Sequence, residues 1–193
     1  MPTIMNLRPL ILLAAITLLP ACATLDEGEC RTADWYDMGV RDGLNGEPAS
    51  RLHEHNKACA KYGIRPLEPR YFEGRNRGLQ EYCRFDNAFQ TGLKGQRYQG
   101  VCPPAMDREF NRYNDAAYEV YRLRNEAESA RDSQDEKQRR LREKKLTDEQ
   151  RDELRRDIRE LDRKLDRLRD NLHDRERDLD RLIDESRDRR RFR

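Results

Sequence analysis

The stretch WYDMGVRDGLNG, residues 35–46, decides how the chain is read. Its glycines, Gly39, Gly43 and Gly46, fall three or four residues apart behind the aromatic pair Trp35-Tyr36. In lipid this spacing is a helix-dimer face. Here Arg41 and Asp42 lie between the glycines and Asp37 just before them, so a membrane helix is excluded. What remains is a set of short helices whose glycines allow close approach or cap helix ends.

The pattern recurs weakly. Cys30 precedes Gly39 by nine residues, Cys83 precedes Gly92 by nine, and Cys59 precedes Gly74 by fifteen. The segment Ile64–Pro69 reads as an insertion in the middle copy, which continues with Tyr71-Phe72, Gly74 and Gly78; the last copy has Phe89, Gly92 and Gly95. Trp35, Tyr36, Tyr71, Phe72, Tyr82, Phe85 and Phe89 are the expected core. No long alternating β-branched run is present, so the expectation is helices with little or no sheet.

Composition divides the chain. Of 193 residues, 40% are charged and 35% hydrophobic, with a net charge of only +2. That balance gives no global field for nucleic acid. Residues 23–102 hold 12 basic and 12 acidic side chains, whereas residues 103–193 hold 27 and 26. Only the first block has the mixture of a small globule; the second reads as an extended, solvated element.

The amino terminus reads MPTIMNLRPLILLAAITLLPAC. Arg8 precedes the ten-residue apolar run Leu10–Leu19. A membrane span needs about 20 apolar residues, so this run reads as the core of a signal peptide, residues 1–21. Leu19, Ala21 and Cys22 resemble the bacterial lipobox, with Pro20 an unusual member. That resemblance implies diacylglyceryl transfer to the Cys22 sulfur, cleavage before it and N-acylation, palmitate-type chains included. Ala23 in place of Asp implies sorting to the periplasmic face of the outer membrane. Residues 22–29 are then expected as an acidic, lipidated tether. Ordinary secretion with Cys22 as a spare thiol is the alternative.

Cys30, Cys59, Cys83 and Cys102 are the disulfide candidates in an exported protein. Three connectivities are open. Joining Cys30 to Cys59 and Cys83 to Cys102 closes loops of about 30 and 20 residues, each worth about 3 kcal/mol in the loop-entropy picture. A zinc site is disfavoured because no C-x2-C pair exists.

The motifs DWYDMGVRDGLNGEPASRLHEHNKAC, YFEGRNRGLQEYC and AFQTGLKGQRYQGVCP together resemble the domain-of-unknown-function family 2799 of Gram-negative lipoproteins, over about residues 30–120. The resemblance implies a lipoprotein context and this cysteine set, and it carries no activity with it.

Pro103-Pro104 followed by Asp107 marks a helix start. Thr147 with Gln150 three residues on is a capping box that starts another. Two helices are expected, about 104–145 and 148–188, after a small domain at 30–103. Leu154, Ile158, Leu161, Leu165, Leu168, Leu172, Leu179 and Leu182 form a heptad seam. Val120, Leu123, Ala127, Ala130, Gln134, Lys137 and Leu141 form a weaker one. An antiparallel hairpin turning near 145–148 is preferred over a bent rod or self-association of the second helix. The basic tail 189–193 reads as a solvated end, with anionic headgroups as the alternative contact.

Chemistry is thin. His53 and His55 are two apart on a helical stretch and point away from each other, so a metal pair is not expected. No phosphate loop, G-x-S-x-G or H-E-x-x-H is present. No cofactor, metal or catalytic residue is expected. The fold class expected is mostly α: a small disulfide-stapled multi-helix domain followed by a long charged coiled-coil hairpin. The function expected is a non-enzymatic, lipid-anchored envelope protein with a structural or protein-interaction role. Its partners would be the membrane, through Cys22, and an envelope protein or a second copy, through the coiled coil. The alternatives are a glycan or peptidoglycan binder using Trp35, Tyr36 and Tyr71, and a hydrolase with an unrecognised site.

Overall fold

A computed structural model describes residues 24–191, with side chains to 188. The signal peptide, Cys22 and the side chains of the basic tail lie outside the described residues. Among those described, every regular element is a helix: α1 (Glu27–Thr32), α2 (Trp35–Leu44), α3 (Arg51–Ala60), α4 (Glu68–Tyr82), α5 (Phe85–Leu93), α6 (Pro104–Leu141) and α7 (Asp148–Arg191). The fold is mostly α, with a disulfide-stapled set of short helices and a long charged hairpin, as expected.

Local chemistry places the helix starts. The Glu29 amide donates to the Asp26 carboxylate at 2.8 Å, and the Asp26 amide donates to the Glu29 carboxylate at 2.8 Å. This closed capping box starts α1. Asp34 accepts from the amides of Tyr36 and Asp37 and starts α2. The Thr147 box forms as the sequence predicts, with Thr147 N donating to Gln150 Oε1 at 2.9 Å and Gln150 N to Thr147 Oγ1 at 3.3 Å. Helix α6 ends at Leu141, four residues before the expected point. Arg151 accounts for part of this, because its guanidinium donates to the carbonyls of Leu141 and Glu143 and satisfies that helix end.

Residues 24–29, expected as a tether, belong to the fold. Leu25 is buried, 5% exposed, among Cys30, Trp35, Met38, Leu52, Ala58, Cys59 and Tyr71. Asp26 begins α1 directly after it. Burial of one leucine contributes about 2 kcal/mol, which holds this stretch against the core.

Helices α2 and α4 cross through their glycines. A Cβ at Gly39 would meet the Tyr71 carbonyl oxygen at 2.0 Å, and one at Gly74 would meet the Tyr36 carbonyl oxygen at 2.0 Å. Gly43 and Gly78 approach the Arg75 and Val40 carbonyls in the same way. The glycines therefore serve close approach; of the charged residues between them, Arg41 and Arg77 are exposed, while Asp42 and Arg75 are buried beside the crossing. Helix α5 meets α6 similarly, with Gly92 against Asn114 and Ala117.

The three-copy pattern resolves differently from its cysteine offsets. The segments DGLNGE (42–47) and TGLKGQ (91–96) are the equivalent ones. Gly46 and Gly95 both take positive φ, +69° and +81°, and both lie against a tyrosine ring, Tyr82 and Tyr121. Gly43 thus corresponds to Gly92, and the middle copy with Gly74 and Gly78 is the facing helix of the first pair.

Disulfides join Cys30 to Cys59 and Cys83 to Cys102. Each sits inside one of two cores. The second core gathers Leu79, Tyr82, Ala88 and Phe89 with Phe110, Tyr113, Ala117 and Val120 of α6 and Leu179 of α7. The hairpin legs are thus built into the cysteine-rich block, and packing does not divide at residue 103 as composition does. Phe110 and Tyr113 are fully buried core rings that the charged composition of their helix concealed. Phe72 and Tyr36, expected in the core, are partly exposed. Beyond the base, Leu123, Ala127 and Ala130 pack on Leu168 in the seam. The ion pairs Arg112–Glu185, Arg124–Glu176, Lys137–Asp157 and Lys164–Glu126 cross between the two legs.

Candidate functional site

Three elements and the chain entry converge on one buried polar network. Asp42 lies near the end of α2, His55 in the middle of α3 and Tyr71 in the first turns of α4. The Tyr71 hydroxyl donates to Asp42 Oδ2 at 2.6 Å. His55 Nε2 lies 2.8 Å from the same oxygen, and His55 Nδ1 lies 3.0 Å from Thr24 Oγ1. His55 is 2% exposed and Tyr71 is fully enclosed. A buried carboxylate needs donors to remain charged. Burial raises the Asp42 pKa, but the hydrogen bonds from His55 and Tyr71, with the charges of His55 and Arg51, outweigh it and hold the group below its ordinary value. Burial, reinforced by the bond to Asp42, raises the Tyr71 pKa and keeps its proton on the ring oxygen.

With Asp42 ionised, the proton on His55 Nε2 is donated to the carboxylate, which leaves Nδ1 facing the Thr24 hydroxyl. The order hydroxyl, imidazole, carboxylate is one that can activate a nucleophile. Here the imidazole is sealed in the core beside Leu25, and the carboxylate is shared with a second donor, Tyr71. The geometry ties residue 24 to α2, α3 and α4.

Next to this network, Arg75 donates from Nε and Nη2 to the Glu47 carbonyl at 3.2 and 2.7 Å. The second helix pair repeats this bond in neutral form. Asn114 Nδ2 donates to the Gln96 carbonyl at 3.0 Å, with the Ala88 carbonyl and Thr91 Oγ1 also in reach, and its Oδ1 accepts from the Tyr98 amide at 2.8 Å.

The sequence-predicted residues scatter. The four disulfide cysteines pair. Trp35 is 6% exposed and Tyr71 has no exposed surface, so neither ring offers a stacking face to a sugar. Tyr36 is half-buried beneath the Arg70 guanidinium, 4.9 Å from its ring centre. His53 faces solvent while His55 is buried, so the two do not converge. Among the described residues, no group of three or more His, Cys, Asp or Glu side chains could hold a metal ion, and no helix is long and apolar enough to cross a membrane. Sequence reasoning missed Thr24, Asp42, Arg75 and Asn114. The hexapeptide repeat at 42–47 and 91–96 was the signal that marks two of these four neighbourhoods as equivalent.

A groove of about 490 Å³ lies on the hairpin between Arg131, Gln134 and Asp135 of α6 and Asp162, Leu165, Asp166 and Arg169 of α7. It alternates both charge signs around a single leucine.

Residues 34–119 match the family described as a protein of unknown function, DUF2799. The matched span begins at the Asp34 cap of α2 and ends within α6 one residue before Val120, so it covers both glycine-led helix pairs and the base of the hairpin. Cys30 and the outer hairpin lie beyond it. Comparison with curated proteins and with solved structures finds no match.

Proposed function

We propose that this is a lipid-anchored cell-envelope protein with a structural or protein-interaction role, held by Cys22 at the periplasmic face of the outer membrane. The observation that carries the interaction role is the α6–α7 hairpin. Its legs have 38 and 44 residues, about 57 and 66 Å of helix. Both emerge from the disulfide-bonded core and present mixed charge along their outer faces. Mixed charge of this kind favours a specific, salt-sensitive partner surface over nonspecific adhesion to one sign of charge. The lipobox-like Leu19, Ala21 and Cys22 support the anchor. The two disulfides support an oxidising compartment.

Intact mass of the membrane-extracted chain, before and after reduction, tests the anchor and the disulfide count together. Crosslinking in cells tests the interaction. A partner enriched on the wild-type chain should be lost when Arg131, Asp135, Asp162 and Arg169 are replaced by alanine, which leaves the leucine seam intact. Equal recovery from both chains removes the groove from the interaction surface.

A further inference from the structure

The geometry points to a membrane-contact face on the folded domain itself: the end where Thr24 and Leu25 dock on α3 lies against the phospholipid surface, with Ala23 as the whole spacer to an acylated Cys22. This rests on the reading of Cys22 as the lipid anchor.

The argument is one of reach. Four independent ties fix the chain between residues 24 and 30. Thr24 Oγ1 bonds to His55, Leu25 is buried, Asp26 closes the α1 capping box, and Cys30 is joined to Cys59. His55 is itself fixed by Asp42, which also holds Tyr71, so the docking point is continuous with the α2–α4 crossing. From Cys22 to Thr24 the backbone spans at most about 7 Å, whereas a free tether to Cys30 would span about 27 Å. Acyl chains buried in the hydrocarbon keep the Cys22 backbone at headgroup depth. The short remaining link then leaves no gap that a second protein could enter, and the occupant of this face is the bilayer. The domain cannot tumble freely on its anchor, so one side of the α1–α4 core always faces lipid.

The chain carries a single tryptophan, Trp35, in the same core cluster as Leu25. The full-length protein, extracted from membranes, is reconstituted into phosphatidylcholine vesicles bearing headgroup nitroxides, and Trp35 quenching is measured. The comparison chain carries a flexible Gly/Ser insertion of about a dozen residues between Ala23 and Thr24, long enough to lift the domain by about 19 Å. Quenching in the wild type should exceed that of the insertion chain at least about twofold, since the added spacer lets the domain leave the headgroups. Equal quenching, with intact mass showing acylated Cys22 in both chains, overturns the contact face and leaves the anchor standing. An unmodified Cys22 in the intact mass overturns both.

Discussion

The α2–α4 pair and the α5–α6 pair meet through the same backbone approach, yet one encloses a carboxylate and the other an amide. Asp42 occupies the position of Thr91, Arg75 that of Asn114 and Tyr71 that of Phe110. The difference lies in what the connecting segments bring. Between α2 and α4 the chain inserts α3, and with it His55. Between α5 and α6 it inserts an irregular loop carrying Tyr98 and Cys102. A carboxylate is buried where an extra helix supplies a donor for it. Where no such helix exists, Thr91 donates back to the Asn87 carbonyl at 2.8 Å and Phe110 needs no partner. One crossing geometry thus tolerates two interiors, because the polar group at the centre of each, Asp42 or Asn114, is hydrogen-bonded.

The comparison breaks most completely at the crossings. Gly39→Leu drives a side chain into the Tyr71 carbonyl and should destabilise by about 3 kcal/mol or more, since backbone cannot yield as a side chain can. Gly92→Ala faces the Asn114 carbonyl and the Ala117 methyl and should cost about 2 kcal/mol. Urea unfolding followed by circular dichroism ranks them. If Gly92→Ala proves the worse, the two crossings are not equivalent.

Removing the polar centres comes next. Asp42→Ala strands His55 and Tyr71 and should cost about 3 kcal/mol. Asn114→Ala strands the Gln96 carbonyl and the Tyr98 amide and should cost about 2 kcal/mol. Thermal unfolding of each purified variant checks the order.

The charge difference gives the pairs different acid behaviour. The folded pKa of Asp42 is depressed, so its contribution is complete above the unfolded value of about 3.9 and is lost as pH falls through the folded one. Stability measured between pH 6 and 2 should fall less steeply below pH about 4 in Asp42→Asn than in the wild type. A conservative change at Asn114, such as Asn114→Gln, should leave the wild-type slope, and parallel curves for all three chains would remove Asp42 from the acid transition.

The smallest effect belongs to the ion pairs between the hairpin legs. Arg124→Ala removes the 2.6 Å contact to Glu176 and should cost less than about 1 kcal/mol, because both side chains are exposed. A loss that vanishes in high salt confirms its electrostatic origin.

Much of this was legible in the residues. Helix type, the Thr147 box and the hairpin seam from Val120 to Ala130 follow from periodicity and capping chemistry, which act locally. The glycine spacing announced close helix approach because the intervening charges ruled out lipid. What escaped was non-local. Nothing near Phe110 or Tyr113 signals burial, since their neighbours are charged and their partners lie on α4 and α5. Thr24 read as tether because its partner, His55, is 31 residues away. Trp35 and Tyr71 looked like a sugar platform because aromatics beside glycines suit both a binding face and a tight crossing; only burial separates the two. The repeat was anchored on cysteines, while the fold keeps its register through the Gly-Leu-x-Gly turns.

The rooting of the hairpin has a mechanical consequence. Val120 on one leg and Leu179 on the other are both buried in the core that holds the Cys83–Cys102 bridge. From Val120 to the end of α6 at Leu141 the leg runs about 32 Å of helix. A sideways pull at the tip therefore acts as torque on a covalently braced fulcrum, and the hairpin transmits displacement to the domain as a lever, where a flexible arm would absorb it.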